Sequence, residues 1–489
     1  MAMKTSHMTR RNFLKTLTVS AALCAGAPLA RGAVETGSRR KLNVLCIVSD
    51  DLCTALSGYG HPQCHTPNLD RLARRGVQFE RAYTQYPVCG PARAALMTGL
   101  YPAATGCVSN GQSDFRNRFP DIITMPQLFR QNGYYTARVS KIFHMGIPGD
   151  ILEGTSGIDD PQAWDEAINI KGPEQYAPGL KEDLCPKVTH QGVDFVKVEA
   201  EGGDLVHADG MTAERALELL RAHKDEPFFL AVGMVRPHVP LVAPEPYFEP
   251  YPPDKMRRPE VPEGDLDDVP EAAQTQTNAV KYGMSEEQQR KTLGAYYASV
   301  SYMDAQVGKL LDEVDRLGLA ENTICIFTSD HGYNLGQHTC WQKLSLFEDS
   351  VRVPLIIAAP SFGLENRKSY RVVEHIDLYP TLAEICGLDA PHYLHGNSFA
   401  ELLRDPEADR FADADAYTIT RAGGESLRTA RWRYNLWKDG KEGAELYDHE
   451  NDPEEFNNLA EHPDVAEVRA KLDARLKAAR ARAANVYPA

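Results

Sequence analysis

Asn43-Val44-Leu45-Cys46-Ile47-Val48-Ser49 is an unbroken apolar run that stops at Asp50-Asp51. Thr323-Ile324-Cys325-Ile326-Phe327-Thr328-Ser329 repeats the pattern and stops at Asp330-His331-Gly332. Runs with so little polar alternation suit strands buried on both faces of a parallel sheet. Segments 135–139, 227–232 and 354–358 have the same character, and helical spacing of apolar positions predicts helices over 68–75, 125–132, 211–223, 289–317 and 378–386. Strand alternating with helix predicts an α/β sandwich, with a large, mostly parallel central sheet flanked by helices. In such sheets ligands bind beyond the carboxyl ends of the strands, which is where both acidic clusters fall. Segments 145–210 and 240–285 are rich in Pro, Gly, Asp and Glu without clear periodicity, and read as long surface loops that shape a pocket. From about 413 the pattern changes: 426–438 reads as paired strands around Trp432, Tyr434 and Trp437, and 465–484 as an amphipathic, Arg-rich helix. The expected organisation is a main α/β domain over 41–412 and a small α+β subdomain over 413–489.

The first residues read differently. Thr9-Arg10-Arg11-Asn12-Phe13-Leu14-Lys15 precedes an apolar run over 17–29 and then Ala30-Arg31-Gly32, which has the form of a twin-arginine export signal. The run is shorter than the roughly 20 residues a membrane span needs. The expectation is therefore a leader over 1–32, cleaved near Gly32, and a periplasmic or extracellular protein without a stable membrane anchor. The twin-arginine machinery would be its export partner. Loss of 1–32 removes five basic residues and no acidic one, taking the net charge from −15 to −20. So acidic an exterior argues against nucleic-acid binding, and an anionic substrate must be captured by a local basic pocket. The ten cysteines form no zinc-ribbon pairs and no disulfide ladder. Cys46 and Cys325, inside apolar strands, read as small buried hydrophobes.

The densest chemical signal is Cys89-Gly90-Pro91-Ala92-Arg93. Pro91 suits a first helical turn, and 92–100 reads as the helix, so Cys89 lies at its positive end with Arg93 one turn on. A helix N-terminus and a guanidinium together suit a tetrahedral anion. Asp50, Asp51 and Asp330, with His331 beside them, converge at strand ends. That oxygen-rich set calls for one hard divalent cation, Ca²⁺ or Mg²⁺. Lys141 and His144 follow one strand, His238 follows another, and Lys343 lies in Trp341-Gln342-Lys343.

The string from Cys89 to Gly99 resembles the sulfatase signature, a cysteine with proline two on and arginine four on, ahead of a small-residue helix ending in Thr-Gly. The likeness extends through Thr66-Pro67-Asn68-Leu69-Asp70, Asn132-Gly133-Tyr134, Ala298 to Asp304, Thr328 to Gly332, Leu446-Tyr447-Asp448 and Asp452-Pro453-Glu454-Glu455. Segments 228–238 and 297–307, with His331, most resemble the iduronate-2-sulfatase branch. One departure is Thr339 after His338, where the family usually has glycine.

The resemblance implies an alkaline-phosphatase-like fold and a Cys89 oxidised to formylglycine by a formylglycine-generating or sulfatase-maturating enzyme. It implies a metal, Ca²⁺ with Mg²⁺ as the alternative, held by Asp50, Asp51, Cys89, Asp330 and His331. One hydroxyl of the aldehyde hydrate would attack sulfur, with Arg93, Lys141 and Lys343 adding positive charge around the sulfate. His238 with Lys343 would protonate the departing sugar oxygen, and His144 would take the second hydroxyl's proton. The substrate expected is a sulfated carbohydrate, a 2-O-sulfated uronate of a glycosaminoglycan or related polysaccharide, with Arg236, Arg352 or Lys187 for its carboxylate. The alternatives are a phosphomonoesterase or phosphodiesterase of the same superfamily, which generally uses Ser or Thr with two zinc ions, and a non-catalytic glycan-binding relative. The first lacks its second histidine-rich ligand set here. The second would be expected to have lost Cys89, Arg93 or the acids, and none is lost.

Overall fold

All eight residues of strand β1 (Asn43–Asp50) are buried, which its apolar run requires, and the strand lies near the centre of an eight-stranded sheet. The computed structural model describes residues 41–185, 187, 195–275 and 277–485; the leader expected over 1–32 lies outside them. In chain order the other strands are β2 (Val77–Tyr83), β3 (Tyr135–Ser140), β4 (Glu166–Ile168), β5 (Phe228–Pro237), β6 (Thr323–Ser329), β7 (Arg352–Ala358) and β8 (Arg367–Glu374). Their spatial order is β8-β2-β7-β6-β1-β5-β3-β4. β1 pairs in parallel with β5 and β6, and only β7 runs against both of its neighbours. The sheet is thus mostly parallel with one reversed inner strand.

Alternate residues of β1 feed two cores. Leu45 and Ile47 pack on one face with helices α1 (Pro67–Arg74), α4 (Ala208–Ala222) and α5 (Glu286–Arg316). Val44, Cys46 and Val48 pack on the other with α2 (Cys89–Thr98), α3 (Met125–Gln131) and α6 (Leu378–Cys386). α5 begins in a capping box between Ser285 and Gln288 and, at 1.5 Å per residue, runs about 46 Å across the sheet.

Three expectations need correction. β2 and β8 carry polar residues among their apolar ones and lie toward the edge of the sheet, so a search for continuous apolar runs passes over them. Helix α2 starts at Cys89 itself and stops at Thr98, with Gly99 in the left-handed conformation as its cap. The two long segments read as loops contribute a three-stranded sheet, Gly179–Asp183, Val196–Ala200 and Leu241–Pro244. Val196-Lys197-Val198-Glu199-Ala200 does alternate, but one of its two partners, Leu241–Pro244, comes from the other segment.

The C-terminal part is a four-stranded antiparallel sheet, β9 (Ala416–Ile419), β10 (Gly424–Arg428), β11 (Trp432–Trp437) and β12 (Ala444–Asp448), covered by helix α7 (Ala466–Ala483). Leu427, Tyr434 and Leu446 of the sheet meet Leu472, Leu476 and Ala479 of the helix. No helix among the described residues is long and apolar enough to cross a membrane.

Candidate active site

The carboxyl ends of β1, β3, β5 and β6 open on one edge of the sheet, and α2 points its N-terminus there. Cys89, at the first helical position, is 1 % exposed. Its Sγ lies 3.0 Å from Lys343 Nζ, 3.3 Å from His331 Nε2 and 3.6 Å from Asp51 Oδ1. Asn110 Oδ1 accepts the next backbone N–H, from Gly90, at 2.9 Å, so one free helix-end donor is satisfied from outside.

Asp50, Asp51 and Asp330 present carboxylate oxygens within 4.8 Å of one another, all buried. Three such groups persist in a buried pocket only with compensating cations. Lys141 Nζ lies 2.6 Å from Asp50 Oδ2 and Lys343 Nζ 2.6 Å from Asp51 Oδ1. Burial opposes ionisation of both aspartates. Lys141, His238 and Arg93 nevertheless hold Asp50 well below the usual carboxylate range, and His238, Lys343 and His331 do so for Asp51. Burial alone would raise the Cys89 thiol, but Lys343 and Lys141 bring it down to about 7. The donor chemistry fits a hard divalent cation, with Asp50, Asp51 and Asp330 as its oxygen ligands and His331 alongside.

Arg93 has a task different from the one expected of it. Its guanidinium is wholly buried, and all five N–H groups are engaged within the protein. Nε donates to Asp330 Oδ2 at 2.9 Å, and one terminal nitrogen to the carbonyls of Lys141 and Ile142 at 2.6 and 3.1 Å. The other donates to the Ser49 carbonyl and to Asp50 Oδ1 at 3.3 and 3.1 Å. Arg93 therefore orients two of the acids and has no donor left for a ligand.

The histidines are shifted in opposite directions. His331 Nε2 donates to Asp51 Oδ1 at 3.2 Å, and despite burial Asp330 and Cys89 raise its pKa well above the usual value. His238 Nε2 lies 3.6 Å from Asp51 Oδ2, and against burial Asp51 and Asp50 raise it too. Burial and then Lys141 depress His144 to about 3, and its buried Nδ1 has no hydrogen-bond partner among the described residues.

Tyr296 and Glu174, which shape the site, escaped the sequence reading, and two of the three cations it offered for a carboxylate are paired elsewhere. Asp51 adopts φ +61°, a left-handed conformation that costs a non-glycine residue about 1–2 kcal/mol. Tyr296 of α5 donates to its carbonyl at 2.8 Å, and its N–H donates to Asp330 Oδ1 at 3.1 Å. Arg236 is 1 % exposed, its guanidinium gripped by both oxygens of Glu174 at 2.6 Å. It donates in turn to the carbonyls of His238 and Pro240 at 2.9 and 2.8 Å. Arg236 is therefore not a free cation for a ligand carboxylate. Neither is Arg352, which pairs with Glu80 at 3.1 Å. Lys187 is exposed, its stem lying along Gly283, where a Cβ would meet Lys187 Cγ at 2.5 Å. The neighbouring Tyr282 hydroxyl bonds Gln342, next to Lys343, at 3.0 Å.

Lys343 rides on an unusual loop. His338, Thr339, Gln342 and Leu344 all have positive φ, and Thr339, the departure noted in the sequence, is at +56°. The departure is thus a β-branched residue in a conformation glycine adopts freely. His338 anchors the loop, 3.0 Å from Asp265 Oδ2 and stacked on Phe347.

Comparison with known families decides the assignment. The Sulfatase family profile matches residues 42–388, and a second profile, N-sulphoglucosamine sulphohydrolase, C-terminal, matches residues 336–482. The chain belongs to the sulfatase family. A sulfatase of Formosa agariphila is 31% identical over 438 residues, covering 86% of this chain and 83% of its own. Human iduronate 2-sulfatase is 34% identical over 418 residues, covering 74% of this chain and 72% of its own. Among solved structures, the phosphonate monoester hydrolase of Agrobacterium radiobacter superposes with a TM-score of 0.74 at 23% identity, over 91% of this sulfatase and 96% of that chain. This likeness shows the shared fold. This sulfatase is accordingly an alkaline-phosphatase-like α/β enzyme of a family that hydrolyses sulfate esters.

Proposed function

We propose that this sulfatase removes the 2-O-sulfate from a uronate at the end of a glycosaminoglycan or related polysaccharide chain, and that Cys89 works as formylglycine beside one divalent cation, Ca²⁺. The observation that carries the reading is the meeting of Cys89 Sγ, Lys343, His331 and Asp51 within 3.6 Å at a helix N-terminus. The identity to human iduronate 2-sulfatase supports the uronate. Ca²⁺ or Mg²⁺ held by Asp50, Asp51, Asp330, His331 and residue 89 would supply positive charge opposite the sulfate, and formylglycine a hydrated aldehyde as nucleophile.

The chain's own residues do the rest. Arg93 and Lys141 set the acids in place from beneath. Lys343 holds positive charge at the reacting group. His238, with its raised pKa, holds the proton for the sugar oxygen, and the neutral His144 offers Nδ1 to accept one. Lys187 serves the uronate carboxylate at the mouth. The leader over 1–32 would route the folded enzyme out of the cytoplasm, and residues 413–489 act as a covering subdomain.

A phosphoesterase would need a second ligand set. Among the described residues the one such group away from this corner, Glu348, His449 and Glu455, is taken up by ion pairs with Arg428 and Arg433. The test offers defined disaccharides sulfated at uronate O2, glucosamine O6 or glucosamine N, with a phosphonate ester in parallel. Sulfate release from the O2 substrate, formylglycine by peptide mass and one Ca²⁺ by elemental analysis are expected. Release only from glucosamine would overturn the uronate, and faster turnover of the phosphonate with two zinc ions would overturn the whole reading.

A further inference from the structure

Asp51, Cys89 and His331 form a second, chemically different donor group inside the same corner: one sulfur, one imidazole nitrogen and one oxygen, all buried. The separations are 3.3 Å from Sγ to His331 Nε2, 3.2 Å from Nε2 to Asp51 Oδ1 and 3.6 Å from Sγ to Oδ1. A tetrahedral zinc ion binds thiolate at about 2.3 Å and imidazole or carboxylate at about 2.0–2.2 Å. Those bond lengths require edges of roughly 3.5 Å for S–N, 3.3 Å for N–O and 3.5 Å for S–O. The three observed edges agree with them to within about 0.3 Å. His331 Nδ1 is 2.8 Å from the Gly332 carbonyl. That bond keeps a proton on Nδ1, so an entering ion displaces the proton on Nε2 and takes the lone pair directed at the other two donors, as a histidine ligand requires.

We propose that the chain whose Cys89 has not been converted binds one Zn²⁺ through Cys89 Sγ, His331 Nε2 and Asp51 Oδ1. The Cys89 thiol proton and the His331 Nε2 proton leave to solvent as the ion takes their place, and a water completes the tetrahedron. Lys343 Nζ, 3.0 Å from Sγ and 2.6 Å from Asp51 Oδ1, holds the positive charge of that position in the ion-free chain. It sits on an accessible loop, its side chain 17% exposed, and can withdraw when a divalent ion enters. The soft sulfur selects zinc over Ca²⁺. Replacing that sulfur by the oxygens of a converted residue removes the selection, so the corner sorts ions by the chemical state of residue 89. The contrast with the converted enzyme rests on the formylglycine reading; the zinc site itself does not.

The test uses full-length protein made without a maturation enzyme, with cysteine at position 89 verified by peptide mass. Cobalt(II) is the probe. One equivalent should give a sulfur-to-cobalt charge-transfer band in the near ultraviolet that Zn²⁺ abolishes and excess Ca²⁺ does not. C89S should lack the band, and H331Q should bind Zn²⁺ at least about tenfold more weakly, each with an unchanged circular dichroism spectrum. The other cysteines remain in C89S, so it also controls for them. Absence of the band, or unaltered zinc affinity in C89S, overturns the proposal and leaves sulfate release by the converted enzyme untouched. Failure of sulfate release with the band present overturns the functional reading instead.

Discussion

Arg93 Nε donates to Asp330 Oδ2 at 2.9 Å in a place where neither side chain meets solvent. Because the remaining donors of Arg93 hold Asp50 and three carbonyls, its planar fork sets the separation of two acids that a lysine's single ammonium cannot span. R93K should therefore keep the charge and lose the geometry. Affinity for the activating cation is expected to fall about 10–100-fold, and titration of cation-dependent sulfate release on chelator-treated enzyme would read it. R93A leaves buried carboxylates uncompensated and should cost about 3–5 kcal/mol of stability, measured by denaturant melts.

Glu174 is expected to act on turnover through Arg236, which carries the His238 carbonyl. E174Q keeps the shape and loses the ion pair, so His238 should be less well placed. We expect kcat to fall about tenfold or more with KM nearly constant, because a slightly misplaced group costs rate more than binding. A rise in KM with unchanged kcat would show that Glu174 serves substrate binding instead.

Thr339 is exposed and has φ +56°. T339G should relieve the strain, offset in part by the greater backbone freedom of glycine when unfolded, for a net gain of about 0.5–1 kcal/mol. A higher thermal midpoint with unchanged kcat/KM is the expected result, and a lower midpoint would show that the threonine side chain supports the loop.

The Glu374–Asp377 pair gives stability a pH dependence. Burial and then mutual repulsion raise Glu374, and burial raises Asp377. Tyr101 Oη donates to Glu374 at 2.7 Å and the Tyr417 N–H at 2.8 Å, so the pair lies where β9 meets the main sheet. The folded chain keeps protons here that the unfolded chain loses just above the ordinary carboxylate range. This stabilising contribution is complete in acid and fades as pH rises through neutrality. Melts of wild type between pH 5 and 9 should show stability declining more steeply than in E374Q.

The parts of this molecule most legible in sequence were those with a single local cause. β1 and β6 are buried on both faces, so they are apolar throughout, and the acids at their ends point to the site. Cys89 was legible as lying at the N-terminal end of a helix, though not as its first residue. What the sequence hid was burial and pairing at long range. Nothing adjacent to Arg93 indicates that all its donors are consumed internally, and Arg236 meets Glu174 across 62 residues. Tyr296 meets Asp51 across 245. Asn68 and Asp304, both inside segments that resemble the family, turn out to be partners: the Asp304 carboxylate accepts the Asn68 backbone and side-chain N–H groups at 3.1 and 2.9 Å and the Leu69 N–H at 2.8 Å, closing the start of α1.

The reversal of β7 bears on how such an enzyme can diversify. β6 ends and β7 begins on the same edge of the sheet, so residues 330–351 leave and return there without crossing to the far side. That excursion delivers Asp330 and His331 at its start and Lys343 near its middle. Its length and composition can change without moving any strand register. A lineage could thus exchange the wall of its pocket, and with it the sugars it admits, while the acids and residue 89 keep their places.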